Sequence, residues 1–361
     1  MSDDANPFQG KMVDILNYGA LNLAMGIGYR SGVFDVLDDQ NRPCTVDEIC
    51  SAGGLNRRYM QEWLGVMVCA GIVDLVRGDD DEPRFFLPKS HGDVLARRAG
   101  SANLGVYTQE IPLLTTCAMA RVVQGFQTGD GIPYEQYPDF HDFMGQLGEA
   151  KHRQVLVDVF LPSVDGGRIV KALQRGIQVC DLGCAQGVAT ILMAQAFPAS
   201  RFTGIDISGE ALDTARFDAQ AKGLTNVGFE QRDAAGLRHS NDLSGRFDYI
   251  TAFDAIHDQT RPLEALQGIY EILKDDGAFS MIDIAAESSL DGNRNHPMGA
   301  FLYTVSLMHC MPVGLVDDGA GLGMMWGRQL AERMLGQAGF RRVAVMEIPD
   351  DAFNLHFFCR K

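Results

Sequence analysis

From residue 176 onward the chain alternates between short apolar runs and helix-patterned runs. This alternation limits the fold more than any other feature. IQVCDLG (177–183), RFTGIDI (201–207), NVGFEQRD (226–233), FDYITAFDAI (247–256) and GAFSMIDIA (277–285) read as strands. GEALDTARFDAQAKG and PLEALQGIYEILK, between them, read as helices. Strands separated by helices predict a parallel, doubly wound α/β sheet. After an excursion over 286–325, the helix WGRQLAERMLGQAG leads to FRRVAVMEI, a PDD turn and NLHFFCRK. So short a turn joins antiparallel strands, so a hairpin closes the sheet.

The first strand runs into a turn of small residues, VCDLGCAQGVAT (179–190). A dinucleotide fingerprint, GxGxxG, would need glycines where Ala185 and Val188 stand. A phosphate loop would need a Lys-Ser/Thr pair, which is absent from this turn. What remains is Asp181-x-Gly183-x-Ala185-x-Gly187. Asp181, at a strand end, can receive an ammonium group. Asp206 closes the next strand, where a carboxylate accepts from ribose hydroxyls. Asp233, in QRDAA, closes the third and can accept from an adenine amino group. Three carboxylates at successive strand ends would ring one crevice. A ligand with a cationic amino acid, a ribose and an adenine fits them, and S-adenosylmethionine is such a ligand.

The first hundred residues are organised differently. Residues 11–37 read as one helix with an apolar stripe of Met12, Leu16, Ala20, Leu23 and Ile27. Gly19, Gly26 and Gly28 weaken it, so packing must support it, and we expect a homodimer. Thr45 and Glu48 form a capping box, Asn56 caps RRYMQEWLGVMVCAG, and Gly71 closes it. IVDLV and RFFLP flank the turn GDDDEP, completing a winged-helix pattern. A DNA reader would use Arg57 and Arg58. Glu62 shares their helix, and Asp79, Asp80, Asp81 and Glu82 form the hairpin tip, so packing or dimerisation is the expected role.

The chain carries 31 Lys and Arg against 47 Asp and Glu, a formal charge of −16. Such a field opposes approach to nucleic acid or anionic lipid and leaves a small molecule as the expected partner. No run reaches the roughly 18–20 apolar residues of a membrane span. MSDDANPFQGK lacks a basic segment followed by an apolar core, so a cytoplasmic chain is expected. Eight cysteines without CxxC spacing read as free thiols in a reducing compartment. No metal is expected: Cys180 and Cys184 lack a nearby His, and His309 and Cys310 are adjacent. Residues 1–99 are expected to form the winged-helix-like domain and 166–361 the α/β domain. Residues 100–165 read as a helical linker with an interdomain loop, GFQTGDGIPYEQYPDF.

Over 166–361 these features resemble the class I S-adenosylmethionine-dependent methyltransferases. FQTGDGIPYEQYPDFHDFM, TAFDAIHDQTRP and NHPMGAFLYTVSLMHCMP…GLGMMWG extend the resemblance to a bacterial subgroup with an N-terminal winged-helix domain. The resemblance implies a seven-stranded Rossmann-like sheet whose last strand is antiparallel. It implies that Asp181, Gly183 and Gly187 hold the methionine end, Asp206 the ribose, and Asp233 with Ala234 the adenine. Ile207 and Phe253, at strand ends, are candidate cofactor contacts beside them. Ala185 departs from the commoner glycine and should widen the turn slightly. The resemblance names no acceptor.

Methyl transfer is an in-line displacement, so the protein mainly supplies alignment and desolvation. A base is needed only where the acceptor loses a proton. His257, after the fourth strand, is the candidate base, with Asp254 or Asp258 to orient it; the alternative is a histidine that ties a loop carbonyl. Tyr134, Tyr137 and His141 could cover the cofactor or contact its carboxylate, or simply pack. The excursion holds Arg294, His296, Phe301, Tyr303, Met308, His309 and Met311 and reads as the acceptor-pocket wall, with Arg294 or His296 meeting an acceptor carboxylate. Trp326 reads as a core anchor. The favoured reading is O-methylation of a small molecule with His257 as base. One alternative is S-methylation of a thioether acid such as methylthiohydroxybutyrate, as in dimethylsulfoniopropionate synthesis. Another is a winged-helix regulator that senses S-adenosylmethionine.

Overall fold

Strand and helix signals in the sequence translate into two compact units, Met1–Leu113 and Leu114–Lys361. The computed structural model describes residues 6–78, 80–349 and 351–361. Asp79 of the expected acidic hairpin tip, and Asp350 of the expected closing turn, lie outside the described residues.

In the first unit the helix expected over 11–37 is two helices, α1 (Pro7–Arg30) and α2 (Val33–Gln40). The break has a local cause. Gly32 adopts φ 75°, a left-handed conformation that an α-helix cannot contain, and the Ser31 hydroxyl donates to Ile27 O at 2.7 Å. The Thr45–Glu48 capping box starts α3 (Val46–Gly53), and the Asn56 side chain accepts from Arg58 N and Tyr59 N to start α4 (Arg57–Cys69). An antiparallel pair follows, β1 (Asp74–Arg77) and β2 (Pro83–Phe86), which completes the winged-helix order. Phe34, Leu37, Ile49, Leu64 and Met67 are buried at its core.

Helices α6 (Glu110–Thr128) and α7 (Phe140–His152) come after α5 (Lys89–Leu95) and precede the large sheet. Its strands are β3 (Gln178–Leu182), β4 (Arg201–Asp206), β5 (Val227–Gln231), β6 (Phe247–Phe253), β7 (Leu273–Ile284), β8 (Arg342–Ile348) and β9 (Asp351–Arg360). They lie in the order β5-β4-β3-β6-β7-β9-β8. The first five are parallel; β9 runs antiparallel to both β7 and β8, as the closing hairpin requires. Alternate residues feed opposite faces. Cys180, Leu182, Ile250, Ala252, Phe279 and Phe357 join one core, which also holds Trp326. Val179, Phe202, Tyr249 and Ala278 join the other. The strand order reverses beside β3, with β4 on one side and β6 on the other. Open α/β sheets bind ligands at the carboxyl ends of strands at such a switch.

Candidate functional site

The turn after β3 is built from backbone conformations that few side chains tolerate. Gly183, Ala185 and Gly187 all have positive φ, at 69°, 46° and 74°. A Cβ on Gly183 would lie 2.4 Å from Ala255 Cβ, and one on Gly187 would lie 2.7 Å from the Phe229 ring. Both positions therefore demand glycine. Ala185 carries the left-handed cost of about 1 kcal/mol with a methyl group. A bond from its N–H to Asp206 Oδ2, at 2.8 Å, holds it. Asp206 Oδ1 accepts from Ser208 N at 2.9 Å, so this one carboxylate ties two turns together.

Asp181 differs from expectation. It is 2 % exposed, and its oxygens accept from the Thr190 and Thr251 hydroxyls at 2.6 and 2.8 Å. Its place on the strand points it toward the helix Val188–Ala196, not into the crevice. Burial pushes its carboxyl up to about 6, against the lowering effect of both threonines. Asp181 braces the turn from behind, and the open carboxylates at the strand ends are Asp206 and Asp233. Asp233 accepts from Ala235 N at 2.9 Å and pairs with Arg261 at 3.0 Å. Ala234 beside it is buried, and Ile207 is exposed.

The segment 134–148 lies against this turn. His141 Nε2 is 3.2 Å from Ser208 Oγ, Tyr134 stacks on His141 at 5.0 Å, and Gln186 donates to Asp142 at 3.1 Å. The Tyr137 hydroxyl is committed elsewhere: it donates to Met308 O at 2.9 Å. His309 stacks on Phe140 at 3.9 Å and meets the edges of Tyr134 and Tyr137. Burial drives His309 down to about 4, so its imidazole is neutral. His141 Nδ1 and His309 Nε2 are buried with no hydrogen-bond partner. Buried polar atoms are rarely left so, and an unmet one beside a crevice is a place for a ligand group.

His257 follows β6, in a turn two residues beyond Ala255. Its Nδ1 is 2.7 Å from Asp283 Oδ1, and its Nε2 is 3.5 Å from Asp258 Oδ1. The orienting carboxylate is therefore Asp283, on β7, and not Asp254 or Asp258. Asp254 faces another way: at φ 50° it pairs with Lys151 Nζ at 2.8 Å and accepts from the Asn354 amide. Burial disfavours a charged His257, but the negative charges of Asp283 and Asp258 outweigh it and hold its pKa well above the ordinary value. Cys310, from the wide π-type turn Ser306–Cys310, reaches the same cluster, and burial pushes its thiol up to about 12. Phe253, at the end of β6, packs on His152 and Phe160 with ring centroids 4.8 and 5.9 Å away.

The excursion is split by its geometry. His296 Nε2 is 3.0 Å from Ala285 O, and its Nδ1 accepts from Met298 N at 3.2 Å, so both nitrogens serve the loop. Tyr303 accepts from the Asn293 amide at 3.1 Å. Arg294 is exposed and pairs with Asp291 at the surface. Of the excursion, Cys310 joins the cluster around His257, while the His309 ring stacks on Phe140.

These crevice residues suit the expected nucleoside: a tight glycine turn, two open strand-end carboxylates and an unmet histidine nitrogen. Comparison with known proteins bears on the domains and the fold. Residues 173–310 match a methyltransferase domain, and 19–97 match an Rv2258c-like winged helix-turn-helix domain. A ubiquinone biosynthesis O-methyltransferase of Haemophilus ducreyi is 32% identical over 111 residues, 30% of this chain and 46% of that protein. The chain thus spans about half the length of that curated relative or less. A putative O-methyltransferase of Nostoc punctiforme shares the fold with TM-score 0.70 at 16% identity, covering 100% of both chains. Human N-acetylserotonin methyltransferase, solved with SAM, does so with TM-score 0.68 at 17% identity, covering 100% of this chain and 99% of that one. The chain thus carries a domain of the methyltransferase family, the class that uses S-adenosylmethionine, behind a winged helix-turn-helix domain.

Proposed function

We propose that the protein methylates a hydroxyl of a small molecule, with His257 taking the acceptor proton. The observation that carries this reading is the His257–Asp283 pair, two residues beyond the point where Ala255 touches the glycine turn. Asp206 and the Gly183–Gly187 turn would hold the nucleoside and amino-acid parts of the cofactor, and Asp233 with Ala234 its base. Bound S-adenosylmethionine supplies a methyl group already activated on a sulfonium. The chain then has to align the acceptor, keep water out and receive a proton. Asp283 fixes the His257 ring so that Nε2 faces the cluster; because Asp283 and Asp258 hold the ring's pKa high, it takes the acceptor proton at alkaline pH, where the ring is neutral. Tyr134 and His141 are proposed to cover the nucleoside; Tyr137 supports them through Met308, and Ile207 and Phe253 border the site. His309 is proposed to meet the acceptor.

The experiment is incubation with methyl-deuterated S-adenosylmethionine and a metabolite extract, followed by mass spectrometry for the labelled product. His257→Ala should cut turnover with little loss of cofactor affinity. Unchanged turnover excludes the base role. A second reading is S-methylation of a thioether acid, which needs no base. Asp283 and Asp258, on either side of His257, favour it, since they raise the pKa of the ring, and a ring that keeps its proton suits a transfer with no proton to remove. A labelled sulfonium product would establish it.

We further propose that a second copy of the chain covers α1, whose Leu16, Tyr18 and Ile27 are exposed. Light scattering at monomer mass would refute this. A DNA-binding regulator is disfavoured because Arg57 and Arg58 are paired with Asp47 and Glu62 at 2.6 and 2.5 Å. Among the described residues no helix is long and apolar enough to cross a membrane. Cys44, Cys50, Cys69, Cys180, Cys184, Cys310 and Cys359 are free thiols, which fits a reducing compartment such as the cytoplasm.

A further inference from the structure

We propose that His257, Asp258 and Cys310 form a site for one thiophilic divalent cation of the zinc(II) class, and that this ion, when bound, blocks His257 Nε2. Only the blocking half rests on the reading of His257 as a base; ion binding stands without it.

One nitrogen, one oxygen and one sulfur, from His257, Asp258 and Cys310, lie within 4.8 Å of one another. Imidazole, carboxylate and thiolate together select zinc-like ions over magnesium or calcium, which prefer oxygen. Three protein ligands leave a fourth tetrahedral position open. The surroundings are those of a metal site as well. Asp283 occupies Nδ1 of His257 at 2.7 Å, which leaves Nε2, 3.5 Å from Asp258 Oδ1, as the ligand atom, the carboxylate–histidine–metal arrangement.

Unmet atoms point the same way. Asp258 Oδ1 and Asp283 Oδ2 are buried without a hydrogen-bond partner. The side chains of His257, Asp283 and Cys310 are almost wholly buried. His257 lies between these two carboxylates and can compensate one of them; a divalent ion would compensate the second. His257 and Asp258 are sequence neighbours, yet they sit in the turn after β6 and not on a helix, so their ligand atoms can converge. Cys310 comes from the other side, on the π-type turn. No such site is legible in the sequence, where Cys310 stands beside His309; the His309 ring is instead stacked on Phe140. Binding displaces the thiol proton, as zinc sites generally do.

The test is a zinc(II) titration of the chelator-stripped full chain against a chromogenic chelator, with cobalt(II) absorption to report thiolate ligation. We expect one zinc per chain, a cobalt–thiolate band, and loss of both in Cys310→Ala and Asp258→Asn. Asp283→Asn should weaken zinc roughly 10–100-fold. Thermal melts check that each variant is folded. Zinc should inhibit methyl transfer by the wild type, reversibly with chelator, and change the activity of Cys310→Ala far less, each relative to its own zinc-free rate. No stoichiometric zinc in the wild type, or equal affinity in Cys310→Ala, overturns the site. Zinc bound without inhibition overturns the blocking and the base role of His257 together.

Discussion

Asp283 Oδ1 stands 2.7 Å from His257 Nδ1, joining β7 to the turn that follows β6. The same oxygen accepts from Ile284 N at 2.8 Å, so it is fixed by its own strand before it fixes the ring. Asp283→Asn keeps the shape but removes the charge that orients the imidazole. Turnover should fall about 10–100-fold while cofactor affinity changes less than about twofold. Steady-state kinetics beside calorimetry separates the two. An equal loss in both would mean that Asp283 serves the fold and not the ring.

Gly183 allows little substitution. At φ 69°, with Ala255 Cβ in the space a methyl would fill, Gly183→Ala combines backbone strain with a clash. The loss should be on the order of 2–3 kcal/mol in urea unfolding. A variant as stable as the wild type would show that the turn can open.

Ala185→Gly should act in the opposite direction. Ala185 holds φ 46°, and glycine removes that cost while adding entropy to the unfolded chain. The two nearly offset, with a net gain of about 0–1 kcal/mol. A clear fall in melting temperature would contradict this account of the turn.

His356 lies on β9, buried, with Nε2 2.8 Å from Ser280 Oγ. Burial lowers its pKa from 6.5 to about 4. On acidification the unfolded chain takes the proton first, so stability present above pH 6.5 is lost as pH falls toward 4. Asp181 works in the reverse sense, because its raised carboxyl pKa favours the folded state as pH falls through about 6. A comparison of variants cancels that effect. Between pH 7 and 4.5 the wild type should lose roughly 2 kcal/mol more than His356→Gln. Parallel losses would mean that His356 is already protonated when folded.

The sheet was legible because its signals are local. Apolar runs ended by Asp or Gly marked β3 to β7, and the short turn before NLHFFCRK made β9 antiparallel. The capping box at Thr45 was legible for the same reason. Strand periodicity could also have oriented Asp181: it shares a face with Val179, and that face meets the helix carrying Thr190. The expectation of an ammonium partner followed the strand-end position and overlooked the face. Asp283 and Cys310 were not legible as partners of His257. Register between β6 and β7, and a π-type turn in the excursion, bring them together, and no local spacing encodes either. His296 was misjudged because its loop folds back and takes both nitrogens.

Everything functional depends on the crevice at the ends of β3, β4 and β5 accepting S-adenosylmethionine. Titration calorimetry of that ligand and its demethylated product, on the wild type and Asp206→Ala, tests this most directly. The account predicts one site per chain and affinity at least about tenfold weaker in the variant, where two backbone N–H groups lose their acceptor. No heat with either ligand, or equal affinity in both proteins, would contradict it.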